Sequence, residues 1–217
     1  MPSSTVENYL KAIYGIAEHS DEQALVPIGK IAEALELTPG TVTTMMKHLD
    51  KEAFIRYHPR KGVEMLDKGR LMALQVLRRH RLIELFLVEV MHLDWAHVHD
   101  EAEVLEHALS DLLVERIDEM LGRPAYDPHG DPIPDATGAM REDRSRPMVD
   151  REPGPCRLVR VSRDEPEFLQ WLQKAGLRPG AELQVVGCDR LGGIVEIEVA
   201  GQPLKLGEAV AADLWVV

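Results

Sequence analysis

Apolar and polar positions alternate with helical period through the first half of the chain and with strand period through the last third. Val6, Leu10, Ile13 and Ile16-Ala17 mark a first helix, opened by Ser4-Thr-Val-Glu7 as a capping box and running to about Glu18. Residues 19–27 read as a loop. Ile28–Leu35 is a second short helix, Glu36-Leu37 turns the chain, and Thr38-Pro39 caps and starts a third that reaches about Glu52. Phe54–His58 and Val63–Leu66 flank Pro59-Arg-Lys-Gly62 and predict a small hairpin. A long helix follows from Asp67 to about Leu87. A second runs from about Ala96 or His99 to Leu121, where Gly122-Arg-Pro124 stops it. Residues 125–155 are rich in proline and lack periodicity, the pattern of a turn and a linker. Beyond Cys156, runs at 158–161, 183–186, 194–199 and 214–217 predict a small β-barrel, interrupted by one helix at about 165–175.

This pattern divides the 217 residues into 1–71, 72–150 and 151–217. The apolar content of 45% supports packed cores, and no stretch is apolar enough to span a bilayer. The start lacks the basic and apolar regions of a signal peptide. Cys156 and Cys188 make no disulfide framework and read as reduced thiols, so a cytoplasmic protein with no membrane partner is expected.

The net charge of −12 is unevenly spread. Residues 72–150 carry 17 acidic against 8 basic side chains, whereas residues 1–71 carry 10 against 9. The acidic middle suits a cation. The nearly neutral first segment holds a local basic run, Lys47, Lys51, Arg56, Arg60 and Lys61, and affinity for phosphate follows the local patch more than the total.

Five of the nine histidines fall between residues 80 and 107. His99, Glu103, Glu106 and His107 stand at i, i+4, i+7 and i+8, on one face of a helix, and His80 and Glu84 repeat the i, i+4 spacing. A solvated acidic helix gives the same spacing. Grouped imidazoles and carboxylates without a thiolate also offer N and O ligands to first-row divalent metals.

The second and third helices have the shape of a helix-turn-helix, with a basic-tipped hairpin as its wing. Thr38, Pro39, Gly40, Thr41, Thr43 and Thr44 open the recognition helix. These small residues allow close approach to base edges, and threonine methyls can meet thymine methyls. Lys47, Arg60 and Lys61 are placed for phosphates. A three-helix packing motif without DNA would share the pattern.

Arg79-His80-Arg-Leu-Ile-Glu84, Val98-His99-Asp-Glu-Ala-Glu103-Val-Leu-Glu106-His107 and Pro128-His-Gly-Asp-Pro-Ile-Pro134, with Glu7-Asn8-Tyr9-Leu10 in the first helix, resemble the diphtheria toxin repressor family of metal-dependent regulators, including its manganese transport regulator branch. The resemblance covers nearly the whole chain. It implies an α+β fold: an N-terminal winged helix-turn-helix, an all-α dimerisation domain and a C-terminal SH3-like β-barrel. It further implies one metal site from Asn8, Glu103, Glu106 and His107, and a second from His80, Glu84 and His99, completed by Asp164 and Glu167 of the SH3-like domain.

Within that resemblance, iron-responsive members carry Cys where this chain has Glu103, and a hard carboxylate moves preference toward Mn²⁺, with Fe²⁺ the alternative. Zn²⁺, Co²⁺ or Ni²⁺ would substitute in vitro. The expected function is a homodimeric, metal-activated repressor of metal-uptake genes acting on a double-stranded DNA operator. Its rivals are a metallohydrolase and a metal-trafficking protein using the same cluster. No His-Glu-x-x-His motif, nucleophile elbow or Gly-rich phosphate loop supports an enzyme.

Overall fold

A computed structural model of the chain describes residues 3–18, 25–189 and 191–217. Residues 19–24 of the expected loop lie outside the described residues. The chain forms two compact units, residues 1–79 with 134–139, and residues 80–133 with 140–217.

The first unit holds α1 (Ser4–Glu18), α2 (Ile28–Ala34), α3 (Pro39–Lys51), β1 (Ile55–His58), β2 (Gly62–Met65) and the start of α4 (Asp67–Glu89). Helix α1 buries Val6, Tyr9, Leu10, Ile13 and Tyr14, a stripe at helical spacing. Its cap lies one residue earlier than the sequence suggests, because the Ser3 hydroxyl accepts the Val6 N–H at 3.4 Å. Glu7 is drawn instead to the Arg79 guanidinium, at 3.3 Å. Helix α3 starts as expected: the Thr38 hydroxyl accepts the Thr41 N–H at 3.3 Å, and Pro39 follows. Val42, Met46 and Leu49 bury one face of α3, which leaves Gly40, Thr41, Thr44, Lys47 and His48 exposed on the other.

Strands β1 and β2 pair antiparallel from Ile55↔Met65 to His58↔Gly62, forming the wing. At its tip Arg60 takes φ +65° and Gly62 φ +137°. A Cβ on Gly62 would sit 2.5 Å from the Val26 carbonyl oxygen, so this position requires glycine.

The second unit begins with the rest of α4. The helix expected from 99 to 121 is broken: α5 (Val98–Leu105) ends with Glu106 as its C-cap, and α6 (Asp111–Met120) starts afresh on the Ser110 hydroxyl, which accepts the Leu113 N–H at 3.4 Å. Helical spacing alone does not reveal a serine that restarts the helix within the same apolar period. The chain continues through β3 (Arg146–Pro147), a 3-10 turn at Met148–Asp150, β4 (Gly154–Val161), α7 (Pro166–Lys174), β5 (Glu182–Asp189), β6 (Ile194–Val199), β7 (Gln202–Gly207), α8 (Glu208–Ala212) and β8 (Leu214–Val216).

The strands form one sheet in the order β3-β8-β4-β5-β6-β7, antiparallel throughout. It is open, with β3 and β7 at its edges, rather than a closed barrel. Strand β7 escapes the sequence pattern because Pro203 interrupts a short run, which an edge strand tolerates. Leu158, Leu169, Leu172, Val185 and Leu214 fill the core of this sheet, and Trp95 and Ala96, from the stretch between α4 and α5, are buried in it. No described helix is long and apolar enough to cross a membrane.

Candidate metal centre and nucleic-acid interface

One turn of α4 directs four cationic or imidazole side chains to four different places. Arg78 donates to the Pro134 carbonyl at 3.1 Å, and Arg79 pairs with Glu7. Arg81 donates to the Pro132 carbonyl at 2.6 Å and lies 3.6 Å from Asp127 and 3.7 Å from Asp131. His80, 4% exposed, is set among carboxylates: its Nε2 lies 3.0 Å from Glu84 Oε1, and its Nδ1 lies 2.7 Å from Glu106 Oε2 and 3.7 Å from Glu103 Oε1.

His99, at the start of α5, faces the same carboxylates. Its Nδ1 lies 3.3 Å from Glu84 Oε1 and 3.2 Å from His80 Nε2, and its Nε2 lies 3.8 Å from Glu103 Oε1. Asp164, just before α7, reaches His99 Nδ1 at 3.3 Å. Glu167, its expected companion, is exposed in the first turn of α7 and joins no ion pair of this cluster among the described residues. Glu106 is fully buried and His107, on the turn after α5, lies 3.4 Å from it.

Two groups of donor atoms gather within 4.8 Å: His80, His99 and Glu103, and, wholly buried, Glu84, Asp127 and His129. The second group enlarges the candidate set. His129 Nδ1 lies 3.8 Å from Glu84 Oε2, while its Nε2 lies 3.1 Å from the Trp95 carbonyl. Asp127 accepts the backbone N–H of His129 at 2.8 Å and of Asp131 at 2.9 Å. Sequence reasoning singled out the segment holding His129 but gave it no role. The signal was there, an Asp-x-His in a proline-bound turn, but only the fold brings it to Glu84.

Burial alone would push the Glu84 carboxyl up, yet hydrogen bonding and charge from His129, His80 and His99 hold it well below the usual carboxylate range. Hydrogen bonding to Glu84 raises His99 against the effect of burial. Asp127 is pushed up to about 7 by burial and by the neighbouring charges of Asp131 and Glu84. His129, which burial would lower, is raised to about 9 by Glu84, Asp127 and the Trp95 carbonyl. Carboxylates and imidazoles are here balanced against one another at close range, a polar interior that a divalent cation would suit. Every donor is oxygen or nitrogen, the set that Mn²⁺, Fe²⁺ and Zn²⁺ accept.

Asn8 lies on α1, in the first unit, and its buried Oδ1 has no hydrogen-bond partner among the described residues. A carbonyl oxygen left in that state is costly without a further ligand. The candidate DNA-contacting residues also lie in the first unit: Thr38 at the cap and Pro39, Gly40, Thr41 and Thr44 in the amino-terminal half of α3 are exposed, as is Lys47 further along, Thr43 is half-buried, and Arg60 and Lys61 are exposed at the wing tip.

A winged helix-turn-helix joined to a His/carboxylate cluster defines a DNA-binding regulator with a metal-binding domain, and comparison with known proteins narrows the class. Residues 1–63 match the iron dependent repressor N-terminal DNA binding domain, residues 66–135 the iron dependent repressor metal binding and dimerisation domain, and residues 150–217 the FeoA domain. The diphtheria toxin repressor of Corynebacterium efficiens is 32% identical over 195 residues, 84% of this chain and 83% of the relative. That of Corynebacterium diphtheriae is 30% identical over 225 residues, 98% of this chain and 96% of the relative. Among solved structures, a manganese-dependent transcriptional repressor in complex with manganese superposes with a TM-score of 0.88 at 34% identity, covering 98% of this chain and 99% of that one. ScaR with bound Zn²⁺ superposes at 0.79 and 32%, covering 100% and 99%. The chain belongs to the diphtheria toxin repressor family of metal-dependent DNA-binding repressors, and is not an enzyme.

Proposed function

We propose that this protein is a Mn²⁺-activated repressor of metal-ion uptake genes, with Fe²⁺ the alternative activator. The observation that carries this reading is the cluster on α4 and α5, where His80, Glu84, His99, Glu103 and Glu106 present only oxygen and nitrogen donors, joined by Asp127, His129 and Asp164. Hard carboxylates in the place of a thiolate favour Mn²⁺ over softer ions, although Zn²⁺, Co²⁺ and Ni²⁺ would occupy the same donors in vitro. The bound cation would supply positive charge among carboxylates that otherwise repel one another.

The protein's own residues provide the rest. Glu84 and Glu106 hold His80 between them and fix its ring. Asp164 ties the segment before α7 to His99. Asn8 is the candidate ligand on the DNA-binding unit, so occupancy there would be felt by the helix that precedes the recognition motif. Thr38–Thr44 of α3 would face the major groove, and Lys47, Arg60 and Lys61 the phosphates.

A homodimer fits the exposed apolar side chains of α5 and α6. Val104, Leu112, Leu113 and Met120 are between 50% and 71% exposed, an apolar surface that a second copy would cover. The test is a gel shift on the DNA upstream of the chain's own gene, with Mn²⁺ and with chelator. Binding with Mn²⁺ that disappears in chelator is expected. Equal binding in both overturns metal activation.

A further inference from the structure

A row of three side-chain contacts joins the stretch between α4 and α5 to the segment carrying α7. Trp95 Nε1 donates to Gln173 Oε1 at 2.9 Å, Gln170 Nε2 donates to His97 Nε2 at 3.0 Å, and Asp164 Oδ2 lies 3.3 Å from His99 Nδ1. The row is firmly anchored at one end. Trp95 is buried in the core of the sheet, and Gln173 Oε1 also accepts from Arg178 Nη2 at 2.6 Å, so two donors fix its amide. At the other end the Asp164 side chain is 54% exposed, and its neighbours turn elsewhere: Ser162 and Arg163 reach Asp213, and Arg163 also pairs with Glu165.

The chain changes cores along this row. Trp95 and Ala96 belong to the sheet core, whereas Val98 and Ala102 pack with Ile83 and Leu87 of α4, so His99 stands just past the joint between the two. An exposed carboxylate at such a joint has many conformations open to it, and holding it against one imidazole costs entropy. A neighbouring contact that already fixes α7 lowers that cost. We propose that Gln173 is a positioning residue: by tying α7 to Trp95 it keeps Asp164 beside His99 and so raises the affinity of the His80, Glu84 and His99 cluster for a divalent cation. This rests on the metal-binding reading above and adds a residue that touches no donor atom of the cluster. By linkage, a bound cation should in turn hold α7 more firmly.

The test is equilibrium dialysis of the full chain against Mn²⁺, without DNA, for the wild type, Gln173→Leu, Gln173→Glu, Asp164→Ala and the double variant Asp164→Ala with Gln173→Leu. Gln173 is exposed on α7 and leucine suits a helix, so the fold should survive the change. Gln173→Leu should weaken Mn²⁺ binding roughly 10-fold, the low end of the usual cost of losing a group that orients a metal ligand. Gln173→Glu keeps an oxygen for both donors and should bind at least as tightly as the wild type. In the Asp164→Ala background Gln173→Leu should change nothing further, because the side chain it positions is gone. Hydrogen exchange across residues 165–174 should slow when Mn²⁺ is added to the wild type, and not in Asp164→Ala.

Additive losses in the double variant overturn the proposal, since a general loosening of the fold would act with or without Asp164. Unchanged Mn²⁺ affinity in Gln173→Leu or in Asp164→Ala overturns it too, and so does a loss in Gln173→Glu equal to that in Gln173→Leu. Should the wild type itself retain no Mn²⁺, the metal-binding reading fails instead. That failure is recognisable before any variant is made.

Discussion

Glu106 is completely buried, and its Oε2 lies 2.7 Å from Nδ1 of His80, twenty-six residues earlier in the chain. A buried carboxylate needs a strong partner, and this imidazole supplies one at hydrogen-bonding range. The opposite ring nitrogen of His80 faces Glu84 and His99. Glu106 thereby sets which nitrogen of His80 carries its proton and which is left to face the cluster.

Glu106→Gln keeps the shape and removes the charge. It should raise the Mn²⁺ concentration needed for half-maximal DNA binding by roughly 10- to 100-fold, the usual cost of losing a group that orients or forms a metal site. Circular dichroism should show the helices retained. Unchanged Mn²⁺ dependence would remove Glu106 from the site.

Glu103→Cys tests the choice of metal. Glu103 is half-buried, with its Oε1 3.7 Å from His80 and 3.8 Å from His99. A thiolate there should shift activation from Mn²⁺ toward Fe²⁺ or Co²⁺. The readout is the ratio of half-activating concentrations for the metals in each protein, and an unmoved ratio would show that Glu103 does not set the preference.

Metal-free protein should lose stability as pH rises from about 3.8 to about 9, through Asp127 up to about 7 and through His129 from about 6.5 upward. Asp127, held near 7 in the fold, binds its proton more tightly folded than unfolded, so its contribution is present at low pH and is lost as pH rises through about 7. His129, raised to about 9, contributes fully below its unfolded value, about 6.5, and loses that contribution through about 9. Both slopes have the same sign. Melting temperatures in chelator across this range should fall, and Asp127→Asn together with His129→Gln should flatten the curve. With Mn²⁺ present the trend should weaken or reverse, since a cation takes over from protons at these groups.

Gly130 takes φ +91°, and a Cβ there would sit 1.9 Å from the Val159 carbonyl oxygen on β4. Gly130→Ala should destabilise the protein by about 2–3 kcal/mol, since neither the turn nor the strand backbone can move away cheaply. Denaturant unfolding measures this. The turn also carries Asp127 and His129, so Mn²⁺ binding should weaken with it.

Arg60→Ala and Lys61→Ala should weaken binding to every DNA sequence alike and lower the salt slope by about one per lost phosphate contact. Titrations at several salt concentrations, on selected and on random duplexes, separate this from an effect on base choice. A change in base preference with an intact slope would mean that the wing does not meet phosphate.

Local rules carried the reading of the winged domain. Thr38-Pro39 states a helix start in two residues, and Val42, Met46 and Leu49 state which face is buried. They carried less at 106–110, where the apolar period runs on but Ser110 restarts the helix, so Glu106 and His107 occupy a turn instead of the expected helical face. Asp164, implied only by the family resemblance, does reach His99, whereas Glu167, three residues on, is exposed and makes no ion pair with the cluster among the described residues. His129 was beyond local rules altogether. Its approach to Glu84 depends on the path of residues 122–133, which Arg81 holds through the Pro132 carbonyl and Asp127.

Trp95 is 3% exposed, its ring stacks on His129 at 5.5 Å with 26° between planes, and its indole N–H donates to Gln173 Oε1 of α7 at 2.9 Å. The fold has thus placed a fluorophore against a titrating imidazole inside the candidate cation site. Indole emission is sensitive to the charge of a stacked imidazole, so Trp95 reports both the charge of His129 and the seating of α7 without any added dye. The chain has only two other tryptophans, Trp171 and Trp215. Replacing both with phenylalanine would leave a single optical signal from which the filling of the site can be followed in real time, with no DNA present.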